Sequence, residues 1–335
     1  MTLIPRVVGA AMLACLCGIP SISNSDEQPK SYQGFGSRFR GGGRYVGAEP
    51  VLLFDRKSVI CGSANDNAFY LLSLSVKERH VEVIRKSETY LGTPDIDPTG
   101  KKIAYVSENS DGLPAIWISD IDGRNARRLT QSQFPEDNPV FSKDGKSLAI
   151  VRRFSREERN LHDSELVILD IDGKHERRLT NDRCVDRPIR FSSDGRSLYF
   201  SSERNPDDLQ DPQSQAHLYK VDLKDHSIVC VLRLGLRSVG PCDLSYDEMT
   251  LVYVDDPNKD FAYDVFSCGI DGSNKQQRTK FGGYIGGVRF GFNPGQFTFL
   301  VEPKRSGVGD IYLYDLSTST MKKVGTNLSP EKPVP

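Results

Sequence analysis

The chain has 335 residues, of which 37% are hydrophobic and 27% charged, and its 44 basic residues almost balance its 45 acidic ones. This composition is typical of a soluble protein that is long enough to bury a substantial core. Because there is no basic excess, we predict no nucleic-acid partner.

The first 23 residues have the order of a secretory signal peptide. Arg6 precedes a short apolar stretch, Val7–Ile19, which small residues follow. The stretch is shorter than the roughly 20 residues needed to cross a bilayer, so we predict export to the periplasm or the medium and no transmembrane segment. One alternative stays open, because Met12–Cys15 resembles a lipoprotein box that would place a lipid anchor on Cys15.

Residues 24–44 are rich in glycine, serine and charged side chains. A segment of this composition buries little apolar surface, so we predict a flexible leader that is either a plain spacer or a partner-binding arm. We expect the mature protein to begin near Asn24.

After the leader, one sequence phrase recurs along the chain. Pro139–Val151 (PVFSKDGKSLAIV) is echoed by Pro188–Phe200 (PIRFSSDGRSLYF), and a second phrase such as Leu166–Thr180 (LVILDIDGKHERRLT) follows each copy. A sixth copy near Val288 keeps the pattern without its proline. The prolines that mark the other copies are Pro50, Pro94, Pro139, Pro188 and Pro241. A self-similar unit of this length predicts stacked supersecondary modules.

Each repeat predicts four short strands, which we name A to D. A tight turn such as Lys143–Gly145 joins strands A and B, strand C ends at a second Asp-Gly turn, and strand D carries the RLT motif. A four-stranded sheet that recurs about every 40–45 residues is a propeller blade. We therefore predict an all-β, six-bladed β-propeller of four-stranded antiparallel blades over residues 45–324, followed by a tail over 325–335. We expect blade six to close on blade one by face packing, without strand exchange.

Five cysteines follow the signal segment: Cys61, Cys184, Cys230, Cys242 and Cys268. They form no CxxC pair, and an odd number cannot pair completely. We expect the fold to depend on its core rather than on disulfides, and we leave open one disulfide between Cys184 and Cys242.

The repeat resembles the TolB-type (WD40-like) β-propeller repeat, in which a proline, a Ser-x-Asp-Gly-Lys turn and a terminal RLT recur. The match is closest at Pro139–Lys146 with Arg178–Thr180, and it is good at Pro188–Arg196. The resemblance implies an exported bacterial propeller that works by binding. It covers the propeller only, since the leader is too short for the α/β domain that precedes the propeller in TolB.

Motifs of known chemistry are missing from the sequence. We find no GxSxG, HExxH or phosphate loop, and therefore predict no catalytic residue, metal ligand or cofactor. Asp95, Asp97 and Gly100 resemble the start of a calcium loop, but Val106 stands where its closing acid would be, so we expect a plain hairpin. His162 and His217 leave a metal or acid–base pair across neighbouring loops open, although solvated histidines are the simpler expectation.

The long, charged connections between strands B and C are the best candidates for function, because long loops in a compact domain are usually functional. They share one face of a propeller with the D–A connections, and we call this the B–C face. The residues that we predict to bind a partner there are Glu108, Asp111, Asp137, Asn138, Arg152, Arg153, Arg156, Asp186, Arg187, Glu203, Arg204, Asp255, Lys304 and Arg305. We expect the arginines to be exposed rim charges.

Two functions fit these observations. The first is a non-catalytic binding or scaffold propeller that engages an envelope protein or a polysaccharide through its B–C face. The alternative is a glycan lyase or hydrolase with its active site in the channel, which would need converging acid–base groups or a metal cluster.

Overall fold

A computed structural model describes residues 51–326, except 53–56, 65–67, 78–79, 155–163, 183, 210–211, 237–240, 259–261 and 303–308. The predicted signal peptide, the Cys15 lipid site and the leader lie outside the described residues, as does the tail beyond Thr326. The described residues contain strands and turns but no helix, so none of their elements could cross a membrane as a helix.

The chain forms six four-stranded antiparallel sheets, each built from four consecutive strands. Blade one contains β1 (Val51–Leu52), β2 (Ser58–Ala64), β3 (Phe69–Ser75) and β4 (Val81–Ser87). Blade two contains β5 (Leu91–Ile96), β6 (Lys102–Glu108), β7 (Pro114–Asp120) and β8 (Arg127–Arg128). Blade three contains β9 (Glu136–Phe141), β10 (Ser147–Arg153), β11 (Ser164–Asp170) and β12 (Arg177–Arg178). Blade four contains β13 (Asp186–Phe191), β14 (Ser197–Arg204), β15 (Pro212–Asp222) and β16 (Ile228–Leu236). Blade five contains β17 (Cys242–Leu244), β18 (Thr250–Asp255), β19 (Asp264–Gly269) and β20 (Gln276–Gln277). Blade six contains β21 (Tyr284–Phe290), β22 (Gln296–Glu302), β23 (Asp310–Asp315) and β24 (Thr320–Thr326).

The first strand of every blade lies at the centre. These six strands pack against one another in a closed ring, in which β21 of blade six contacts β1 of blade one. The prediction of a six-bladed propeller is therefore confirmed. No described strand is exchanged between the first and last blades, because β21 to β24 pair only among themselves.

The core lies between the blades. Each sheet is covered on both faces by its neighbours, which is why the middle strands are nearly continuous apolar runs such as Leu166–Leu169. The outer D strands are short and exposed in several blades, as at Arg177–Arg178.

The A–B turns owe their shape to local hydrogen bonds. In blade three the Ser142 hydroxyl donates to Asp144 at 2.7 Å and accepts from the Ser147 amide at 2.9 Å, while Gly145 takes a φ of 68°. The same contacts recur in blades four and five. In blade five Glu248 stands in the glycine position with a φ of 61°. Its carboxylate accepts from the Ser193 amide and from the Tyr199 hydroxyl of blade four.

The C–D turns connect neighbouring blades. Gly173 has a φ of 84°, and a Cβ there would lie 2.5 Å from the Leu129 carbonyl oxygen of blade two. Arg127 of blade two donates to the Ile171 carbonyl of this turn at 2.7 Å, and Arg177 repeats the contact with Leu223 one blade later. The first arginine of the RRLT sequence therefore fixes the next blade against its own.

The threonine of the RLT motif also has a structural role. Thr130 and Thr180 of the motif, and Thr279 after Arg278 in blade five, each accept a hydrogen bond from the amide of a C strand in their own blade. All three threonines are buried. The motif thus satisfies backbone groups that the very short D strand would otherwise leave unpaired.

Three of the marker prolines lie at irregularities of the inner strands. Register shifts occur at Pro94 and Pro188, and beside Pro139 in β9. Proline has no N–H to donate, so a bulge accommodates it at no cost to the ladder. In blade six Gly287, with a φ of 50°, lies at the corresponding shift, which explains how that repeat keeps the bend without a proline.

We expect Gly173→Ala to destabilise the propeller far more than Gly195→Ala. Both glycines have positive φ, 84° and 69°, so either alanine carries the left-handed backbone cost of about 1–2 kcal/mol. Only the Gly173 variant also forces a methyl group against the Leu129 carbonyl, which adds about 1–3 kcal/mol of overpacking. Urea unfolding of both variants measures the difference, and equal losses would show that the blade contact is not tight.

Candidate binding site at the channel mouth

One end of the channel is formed where the inner strands begin and the B–C loops meet the D–A connections. Two neighbouring blades are linked there. The Thr93 hydroxyl of blade two donates to Asp137 Oδ1 of blade three at 2.9 Å, and the Asn138 amide donates to the same oxygen at 2.7 Å. Burial raises the pKa of Asp137, and the nearby Arg153 opposes this. Asp137, Asn138 and Arg153, which the sequence predicts as binding residues, therefore come together.

The backbone at this point is strained. Thr93 has a φ of 41° and Asn138 one of 50°. A β-branched residue with positive φ is a conformational outlier, and such outliers cluster at functional sites. The strain lies at the channel mouth, where Thr93 and Asp137 bond to each other.

Arg187 of blade four is half-buried at the same mouth. Burial lowers its pKa to about 10; Cys242 opposes the shift and the neighbouring Arg289 adds to it. The predicted residue Arg187 thus stands close to a second arginine that our sequence analysis did not select.

Four charged side chains of the inner strands meet inside the channel. Arg289 of blade six donates to Asp95 Oδ1 of blade two at 3.2 Å, across blade one, which lies between them in the ring. Arg190 of blade four donates to Asp243 Oδ2 of blade five at 3.1 Å. Burial raises the pKa of Asp95, opposed mainly by Arg289.

The two channel aspartates also hold the ring of inner strands together. Asp95 Oδ2 accepts from the Phe141 amide, and Asp243 Oδ2 accepts from the Phe290 amide, each at 2.8 Å and each from the next blade. These residues were missed because they are not in loops. The sequence does contain a signal for the four charged channel residues. Each of them comes directly before the apolar or aromatic residue that ends strand A: Asp95, Arg190, Asp243 and Arg289.

The opposite end of the channel, where the A–B turns lie, is aromatic. The rings of Tyr246 and Phe292 are 5.1 Å apart between centroids. Lys143 lies 4.2 Å over the Tyr246 ring and donates to the Tyr246 carbonyl at 2.9 Å, which joins blades three and five. Arg190 approaches the same ring at 5.0 Å. The two ends of the channel therefore differ in chemistry.

The expectation that the predicted arginines are exposed is wrong for Arg152 and Arg204. Arg204 has 0% of its surface exposed and forms ion pairs with Asp186 and Asp182 at 2.8 and 3.1 Å. Arg152 is 6% exposed and donates two hydrogen bonds to Glu136. Both side chains turn inward because buried carboxylates lie beside them, and a charge is buried only where a counter-charge meets it.

Asp186, the partner of Arg204, is buried as well. Its two oxygens accept from Arg204 at 2.8 Å, and burial raises its pKa to about 6, opposed by Arg204. These groups stabilise the interior of blade four and do not form a rim.

The remaining predicted residues are spread around the rim. Asp111 is exposed, and Glu108, Glu203 and Asp255 are half-buried. Lys275 lies 3.9 Å from Asp255. Arg156, Lys304 and Arg305 lie outside the described residues, as does His162.

Three further predictions from the sequence concern the turn at Asp97, a disulfide and His217. The carboxylate of Asp97 accepts from the backbone of Thr99, Lys101 and Lys102, so the segment is a hairpin turn. The five cysteines from Cys61 to Cys268 are free thiols, which leaves Cys184 and Cys242 unpaired. His217 is buried, and its Nδ1 accepts from the Gly235 amide at 3.1 Å.

These features define a β-propeller whose channel is polar and charged at its mouth and combines charged pairs with aromatic rings towards its far end. A family model described as the TolB beta propeller domain matches residues 59–283. The chain belongs to this family, as the repeat motifs predicted.

Solved structures share the fold. TolB from Acinetobacter baumannii superposes with a TM-score of 0.65 at 18% identity, covering 81% of this chain and 65% of TolB. The putative TolB from Agrobacterium tumefaciens gives 0.54 at 21% identity, covering 70% and 80%. An oligogalacturonate lyase in complex with manganese gives 0.55 at 11% identity, covering 80% and 77%. The chain thus spans less than two thirds of Acinetobacter TolB, and identities this low establish the fold alone. A search of curated proteins found no significant match.

We expect Arg204→Ala to destabilise the protein strongly. Removing one partner of a buried ion pair leaves an uncompensated charge and costs about 3–5 kcal/mol. Arg124→Ala is the control, since that side chain is 83% exposed and such changes stay within about 0.5 kcal/mol. Thermal and urea unfolding compare the two, and equal midpoints would contradict the buried pairing.

Proposed function

We propose that this protein is an exported, non-catalytic binding or scaffold propeller, which engages an envelope protein or a polysaccharide through its B–C face. The observation that carries the proposal is the contrast between the two ends of the channel. Asp137, Arg153 and Arg187 lie at the mouth. The aromatic pair of Tyr246 and Phe292 lies at the other end.

The mouth is suited to recognition because its groups are already held in place. Asp137 Oδ1 accepts from the Thr93 hydroxyl of blade two and from the Asn138 amide. Groups that are ordered before binding lose little entropy when a ligand arrives. A mixed set of arginines and aspartates favours a polar partner that offers both acidic groups and hydrogen-bond donors.

The charges at the mouth indicate which charge the partner carries. Within the described part of the mouth, two arginines, Arg153 and Arg187, stand with one aspartate, Asp137. The excess positive charge favours an acidic segment of a protein or an anionic polysaccharide. Membership of the TolB propeller family supports a protein partner.

We expect Arg153→Ala with Arg187→Ala to weaken partner binding at least tenfold. The control is Arg124→Ala with Lys174→Ala, which removes the same charge from exposed C–D turns on the opposite face. Each purified protein is immobilised and exposed to envelope extract of the source bacterium, and retained proteins are quantified by mass spectrometry. A glycan array tests the polysaccharide arm in parallel. Loss of binding in the control pair, with the mouth pair unaffected, would place recognition on the other face.

We expect the exported form to begin near Asn24, because the order of residues 1–23 is that of a cleavable signal. Mass spectrometry of the periplasmic or secreted protein measures its first residue. An acylated Cys15 would keep export and establish the lipoprotein alternative, whereas an intact Met1 confined to the cytosol would contradict export.

The alternative of a glycan lyase or hydrolase remains a prediction. It is tested by incubating the full chain with oligogalacturonate and other acidic glycans, with and without manganese, and measuring chain cleavage. Turnover that disappears in the mouth variant would favour the enzyme over the binding module.

A further inference from the structure

Three carboxylates meet between blades three and four, apart from the channel groups described above. Glu165 opens β11, Asp182 follows β12, and Asp186 opens β13. One oxygen from each lies within 4.8 Å of those of the other two. All three side chains are at least nine-tenths buried, with exposures of 0%, 4% and 0%.

The cations at this cluster do not balance its charge. Arg204 pairs with Asp182 and Asp186, and Arg178 donates to Glu165 Oε1 at 2.9 Å. Among the described residues, three buried carboxylates thus face two guanidinium groups, an excess of one negative charge. A buried charge without a counter-charge is costly, so a further cation would stabilise the cluster.

One oxygen of the cluster is left available to a further cation. Glu165 Oε1 also accepts from the Asp182 amide at 3.0 Å, but Glu165 Oε2 is buried and receives no hydrogen bond from any described residue. Buried carboxylate oxygens almost always have a partner.

The neighbouring ion pair of blade three provides a comparison. There Glu136 Oε1 accepts from Arg152, and Glu136 Oε2 accepts from the Thr130 hydroxyl, so both oxygens are satisfied. The second acid that meets Arg152 is Glu176, which is 44% exposed and therefore solvated. The cluster of Glu165, Asp182 and Asp186 lacks this relief, because Glu165 Oε2 has no partner among the described residues and Asp182 is buried.

We propose that Glu165, Asp182 and Asp186 bind a divalent cation, and that Ca²⁺ is the ion they fit. A donor set made only of carboxylate oxygens is typical of hard cations. Ca²⁺ binds oxygens at about 2.3–2.6 Å in a flexible geometry, so three carboxylates that converge without a regular octahedral arrangement can hold it. Mg²⁺ would need its ligands closer and in a stricter octahedron. The site goes beyond the proposed partner binding and does not depend on it.

The test is calorimetric titration of Ca²⁺ into the full mature protein after treatment with chelator, together with thermal unfolding. We expect one equivalent to bind with a dissociation constant of roughly 10⁻⁵–10⁻³ M, the range of moderate and weak calcium sites, and to raise the melting temperature. Mg²⁺ should bind at least tenfold more weakly. Absence of saturable Ca²⁺ binding by the wild-type protein overturns the proposal, whatever the partner experiments give.

Variants assign the bound ion to this cluster. Glu165→Gln removes the charge at nearly constant shape and should weaken Ca²⁺ at least tenfold, whereas Glu176→Gln, an acid of blade three outside the cluster, should leave binding unchanged. Asp182→Asn is the second variant if Glu165→Gln does not fold. Wild-type affinity in the folded cluster variant would show that the ion binds elsewhere and would overturn the assignment.

Discussion

A propeller blade has two apolar faces, and each must be covered by another blade at a fixed distance. In this protein the distance is set where a C–D turn meets the strand D of the preceding blade. Gly173 has no side chain at the position where a methyl group would strike the Leu129 carbonyl, and Arg127 bonds across the same junction. The hydrophobic clusters between blades, the ring of inner strands and the meeting of charges in the channel all depend on this spacing.

The close ring explains why the centre is charged and yet well ordered. Arg289 of blade six reaches Asp95 of blade two across blade one, which lies between them in the ring. Each channel aspartate neutralises an arginine and also accepts a hydrogen bond from a backbone amide of the next blade. These groups hold the ring together near the ends of the inner strands, beside the A–B turns.

The sequence predicts the parts of this structure that are local. The serine, aspartate and glycine of an A–B turn lie within four residues of one another, so Ser142, Asp144 and Gly145 identify the turn without tertiary information. The channel pairs were not predicted, because Asp95 and Arg289 are 194 residues apart and meet only when the ring is closed. Arg204 was misjudged for a related reason. Its charge suggested an exposed loop, but β14 continues to this residue and carries it inward to Asp182 and Asp186.

The junction between blades six and one has a property that the other five lack, since no peptide connection crosses it. It is held by apolar contacts among Leu74, Leu300, Ile311 and Val324 and by Lys322, which donates to the Val76 carbonyl at 2.8 Å over a separation of 246 residues. Contacts so distant along the chain carry a large loop-closure entropy and slow the formation of a fold. Blades two to five can form progressively on their neighbours, whereas this last junction has to wait until both ends of the propeller are present. Closure of the circle is therefore the step that would govern the folding rate, and a chain released before blade six is complete would leave an apolar face of blade one open to solvent.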